Sequence, residues 1–125
     1  MRQLIDPNGE KSLFVESIIL ENDGHKLLTD AIVDTGATKT IIDKSVAYSL
    51  HIDPEIRFGN YTEIQTADGV LKGAKKEIDA IVIGTDRIEY PSVVVVDFSA
   101  DVRKALHNIT VVLGADYIGA AGILG

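Results

Sequence analysis

Short apolar runs, each closed by a turn signal, restrict this chain to a mostly β fold. "SLFVESIILE" (12–21) and "HKLLTDAIVD" (25–34) flank Asn22-Asp23-Gly24, and Asp-Gly between apolar runs is a strong hairpin signal. "YTEIQT" (61–66) alternates, turns at Ala67-Asp68-Gly69 and returns through "VLKGAKKEI" (70–78) as a long hairpin arm. "IDAIVIG" (78–84), "IEYPSVVVV" (88–96) and "ITVVLG" (109–114) complete the strand set, with a turn at Thr85-Asp86. Pro91 cannot donate to a ladder, so it marks an edge position or a bulge.

Helix is scarce. Asp43 is a cap for "DKSVAYSL" (43–50), which places Val46, Ala47 and Leu50 on one face. Ser99 is a cap for two turns over 99–106, and a third short helix at 115–122 is weakened by its glycines. We therefore expect one compact, mostly antiparallel domain spanning residues 1–125, all-β apart from one or two short helices.

Composition removes several functions. A chain of 125 residues can bury its own core without staples. It has no cysteine, which excludes disulfides, thiol catalysis and cysteine-ligated zinc. The net charge of -7 argues against a nucleic-acid partner, since phosphate must be met by a basic surface. The opening "MRQLIDPNGEKSLF" lacks a signal-peptide core, and "SVVVVDF" falls far short of the roughly 20 apolar residues that span a bilayer. The expected setting is cytoplasmic, with no membrane partner. His25, His51 and His107 have no metal-ligand spacing and read as solvated side chains, so neither a metal nor another cofactor is expected.

The informative stretch is "AIVDTGATKTIID" (31–43), where an apolar run delivers Asp34 into a tight polar turn. Asp-X-Gly alone is ordinary turn chemistry. Its surroundings add weight: Ile32-Val33 precede Asp34-Thr35-Gly36-Ala37, a hairpin passes through Asp68-Gly69, and Val112-Leu113-Gly114 follow, with Gly114 lying 80 positions after Asp34 (114 − 34). In this order the chain resembles the retropepsin-like aspartic proteases over most of residues 13–122. The resemblance implies a closed, antiparallel, barrel-like acid-protease fold and an aspartic endopeptidase acting on peptide or protein substrates.

Such hydrolysis needs two adjacent carboxylates sharing one proton, because like charges that close cannot both ionise. One accepts a proton from the attacking water while the other donates to the scissile carbonyl. This chain carries one such motif. The resemblance therefore implies that the second Asp34 comes from a second copy, in an isologous homodimer with the site on the two-fold axis.

Asp34, Thr35 and Gly36 are then the catalytic turn, with Thr35 bonding across to the partner loop. Ala37 and Thr38 line the cleft, Ile41 and Val112 supply apolar walls, and Ala67, Asp68 and Gly69 cover it as a flap. Glycines at 69 and 73 suit a mobile arm. Departures from the family pattern are also visible. Asp68 replaces a glycine-rich flap tip, and Thr38, Lys39 and Ala115 stand where retroviral enzymes carry a dimer-bracing ion network. Segment 1–12 is an alternative dimer surface. The rival reading is a non-catalytic binding or dimerisation module that keeps the fold, with Asp34 a structural acid.

Overall fold

The computed structural model describes residues 1–5, 12–66 and 69–118. Among the described residues, ten strands and three short helices follow one another: β1 (Arg2–Ile5), β2 (Ser12–Asn22), β3 (His25–Val33), β4 (Ile41–Asp43), α1 (Lys44–Ser49), β5 (Tyr61–Thr66), β6 (Gly69–Glu77), β7 (Ala80–Ile83), β8 (Asp86–Glu89), β9 (Ser92–Val96), α2 (Ala100–Ala105), β10 (Val111–Leu113) and α3 (Ala115–Ile118). None of these helices is long and apolar enough to cross a membrane.

Hydrogen bonding orders the strands β5-β6-β9-β4-β10-β3-β2-β7-β8, with β1 beside β2. The sheet is open. β5 and β8 are its two ends, so the expected closed barrel is not what these pairings make. Long β2 explains part of this. One edge pairs with β3 throughout, while the other is divided between β1 at residues 12–15 and β7 at residues 18–21. Residues 2–5 are thus committed to a ladder within their own chain.

Two pairings are parallel, β3 with β10 and β4 with β9. They join the four strands covered on both faces. Alternate residues of these strands enter two separate clusters. Ala31, Val33, Ile42, Val93, Val95, Val111 and Leu113 face one, while Ile32, Ile41, Val94, Val96 and Val112 face the other. Burial on both faces is why "AIV" and "VVVV" read as unbroken apolar runs rather than alternating ones.

Both sequence-predicted caps form. The Asp43 side chain accepts from Ser45 N, and Ser99 Oγ accepts from Val102 N. The strand expected over 88–96 is broken in two, because Tyr90 adopts φ 51° and Pro91 leaves the ladder without a donor. The hairpin before it turns at Gly84-Thr85, with Gly84 at φ 61°. Gly73 also differs from expectation. A Cβ there would lie 2.4 Å from the Val95 carbonyl oxygen, so glycine serves close strand approach rather than mobility of the arm.

Candidate active site

The last three residues of β3, Ala31–Val33, are buried, and the chain emerges at once: Asp34, Thr35 and Gly36 are all exposed. Asp34 N donates to Leu113 O at 3.0 Å, tying the turn to the end of β10. Ala37 N closes the turn onto Asp34 O at 3.1 Å. Gly36 N donates to Asp34 Oδ1 at 2.9 Å, which fixes the carboxylate from one side. A Cβ on Gly36 would stand 3.2 Å from that same oxygen, so a larger residue would crowd it. Among the described residues, the Thr35 hydroxyl has no hydrogen-bond partner.

Beneath this turn, two loops interlock. Gly114 N donates to Thr40 Oγ1 at 3.0 Å, and Thr40 Oγ1 donates in turn to Asp116 Oδ1 at 2.8 Å. Thr40 N reaches Asp116 Oδ2 at 3.0 Å, and Ala115 N reaches Ala37 O at 2.8 Å. The fit leaves no room for a side chain on Gly114, whose Cβ would meet the Lys39 carbonyl carbon and oxygen at 2.6 Å and Ala37 O at 2.9 Å. Thr40 is fully buried, so both faces of its hydroxyl are satisfied inside the protein.

Replacing Thr40 with valine keeps the shape but orphans Gly114 N and removes a donor to Asp116. The expected cost is about 2 kcal/mol, the scale of leaving buried polar groups unmade. Urea unfolding of the Thr40→Val variant checks this, and an unchanged midpoint would show that the interlock adds nothing.

A family model described as aspartyl protease matches residues 19–117. The chain belongs to the aspartyl protease family. Its fold is similar to that of a retropepsin-like aspartic protease from Rickettsia conorii, at TM-score 0.58 and 20% identity, covering 91% of this chain and 83% of that one. It is also similar to EIAV protease complexed with an inhibitor, at TM-score 0.63 and 18% identity, covering 94% and 95% respectively. No curated protein matches the sequence. This aspartyl protease family member is therefore retropepsin-like in fold.

Within that frame, the residues expected at the site divide. Asp34, Thr35, Gly36 and Thr38 share one exposed turn. Ala37, Ile41 and Val112, expected along the cleft, are at 3–4% exposure, packed together in one apolar cluster. Gly69 opens β6, exposed and at φ 131°. Ala67 and Asp68 fall outside the described residues. The hairpin arm is held at its base, where Ala74–Glu77 pair with β9, and by Ile64, which is buried in the same cluster as Ala37, Ile41 and Val112.

Among the described residues, Lys39 makes no ion pair. The residues that sequence reasoning missed are Thr40 and Asp116. The available signal was a threonine wedged between a polar turn and an apolar run, with an acid two places after Gly114. An open cavity of about 180 Å³ lies beside the interlock, lined by Lys39, Lys75, Ser92, Val94, Asp116 and Tyr117.

Proposed function

We propose that this protein is an aspartic endopeptidase whose site is made by two copies of the chain, each contributing Asp34. One observation carries the reading: a single exposed carboxylate is held rigidly at the end of a buried strand, in a chain of the aspartyl protease family.

The chemistry follows from what each group can do. With one proton between the two carboxylates, the ionised one takes a proton from a water as it attacks the peptide carbonyl. The protonated one donates to the carbonyl oxygen, and the resulting diol collapses with proton transfer to the leaving amine. Gly36 N keeps one oxygen of each carboxylate fixed, so the reacting geometry exists before substrate arrives. Thr35 has its hydroxyl available for the facing loop. The β5–β6 arm is the element that covers substrate and excludes water. The proposed setting is cytoplasmic, and the proposed substrates are peptides or unfolded protein segments.

Mixing experiments test the shared site. Wild-type protein with an equal amount of Asp34→Asn protein should randomise into dimers, of which only the wild-type pairs are competent. Activity per wild-type protomer is expected to fall to about half, and to fall further on dilution as dimers dissociate. Activity independent of both the variant and the concentration would rule the composite site out.

A further inference from the structure

His25 and His51 are separated by 26 positions (51 − 25) and read as unrelated in the sequence, yet the fold stacks them. Their ring centroids lie 3.9 Å apart with an interplanar angle of 18°. His25 leaves the β2–β3 turn, and His51 follows α1 in a left-handed conformation at φ 56°. Asp23 sits in the same turn at φ 49°. One carboxylate oxygen of Asp23 and one ring nitrogen from each histidine lie within 4.8 Å of one another, all on exposed side chains.

The surroundings fix this cluster from behind. Asn22 Nδ2 donates to Leu50 O at 2.9 Å, holding the hairpin tip against the exit of α1. Asp23 N donates to Asp79 Oδ2 at 3.0 Å, anchoring the turn on its other side. His25 Nδ1 lies 2.8 Å from the Asp23 carbonyl oxygen. With Nδ1–H donating to that carbonyl, Nε2 keeps the lone pair that a metal takes, which is how backbone carbonyls orient ligating histidines.

We propose that Asp23, His25 and His51 form a binding site for a divalent transition-metal ion of the Zn²⁺ class, clasping the β2–β3 hairpin tip to the end of α1. Two imidazoles and one carboxylate suit Zn²⁺ or Ni²⁺, whereas Mg²⁺ and Ca²⁺ demand an all-oxygen shell. Three protein ligands leave the remaining positions to water. Near-parallel ring planes cannot both hold one ion, so binding requires the rings to leave their stack, and both side chains are exposed and have room to turn. The site stands apart from Asp34. Asp34 lies nine positions beyond His25 (34 − 25) along β3, an extended span of up to about 30 Å. Its role is therefore to stabilise the fold, independent of peptide hydrolysis.

Calorimetric titration of tag-free, metal-free protein with Zn²⁺ is expected to show one saturable site, with Mg²⁺ giving no heat. At a hundredfold excess over Kd, Zn²⁺ should raise Tm by about 5 to 10 °C. His25→Ala and His51→Asn, the latter chosen because asparagine tolerates the left-handed conformation, should each weaken binding by roughly tenfold or more. His107→Asn, at another left-handed position (φ 53°), should leave it unchanged. Circular dichroism confirms that each variant is folded. Absence of a saturable Zn²⁺ site would overturn the proposal, as would undiminished binding by the folded His25→Ala/His51→Asn double variant.

Discussion

If the proposed shared site holds, Asp34→Asn is expected to reduce peptide hydrolysis by roughly 10⁴-fold or more, because the substitution would remove both carboxylates of the pair at once. An amide can neither accept a proton from water nor donate an acidic one. Stability should change little. The Asp34 side chain is exposed and accepts from Gly36 N, a bond that an asparagine oxygen makes equally well. A shift within about 0.5 kcal/mol is expected, as for other exposed substitutions. The measurement is digestion of casein or a peptide library by both proteins, with sedimentation to establish that the variant still dimerises. Equal cleavage by the two would move the protein to the rival class, a folded module without catalysis.

The second large effect falls on a carboxylate away from the turn. Asp43 has no exposed surface, yet it carries four partners. Its oxygens accept from Phe98 N at 2.9 Å, from Ser45 N at 3.2 Å, and from the Ser45 hydroxyl, while Arg103 Nη2 lies 3.2 Å away. Burial by itself pushes this carboxyl upward. The Ser45 hydroxyl, the amides of Phe98 and Ser45 and the Arg103 charge outweigh that and hold it below the usual range.

Asp43 thus joins the α1 cap, the end of β9 and α2 through one side chain. Asp43→Asn keeps the volume but turns an amide group toward donors, and should cost about 3 to 5 kcal/mol. Because the folded-state value is depressed, the ionised group's contribution is complete above the unfolded carboxylate range, near pH 4. It is lost as pH falls through the lower folded value. Wild-type stability should therefore drop below about pH 4, and the Asp43→Asn variant should show a shallower acid limb. Urea midpoints at pH 3, 4 and 6 for both proteins read out the size and the slope together. Equal midpoints across that range would show that the network contributes nothing net.

Features that depend on neighbours in sequence were legible. The β2–β3 hairpin announced itself by Asp23-Gly24, and the caps at Asp43 and Ser99 by residue type one place before an amphipathic turn. The exposed Asp34 turn was readable because a strand, an acid and a glycine are local signals. Strand β4 was not, since three residues carry no periodicity. Nor was the depth of burial of Ala37, Ile41 and Val112, because burial on a second face depends on which strands cover it. Pairings made only after folding have no local signal, even where one member stands out: Thr40 finds Asp116 across 76 positions (116 − 40), and His25 finds His51 from another element.

The parallel contact of β3 with β10 also sets a timetable. Val112 stands opposite Ile32, 80 positions earlier (112 − 32), and Val111 opposite Ile42, 69 positions earlier (111 − 42). Closing such loops costs chain entropy before any contact rewards it, so refolding on the order of milliseconds to seconds is expected rather than microseconds. Early in that process the β2–β3 hairpin can already exist, because its pairings are local. The Asp34 turn cannot yet be held, since Leu113 O and Ala115 N have not arrived. A nascent chain therefore carries its acid as an ordinary loop residue until residue 116 has been made. The ordered Asp34 turn is a late product of this topology.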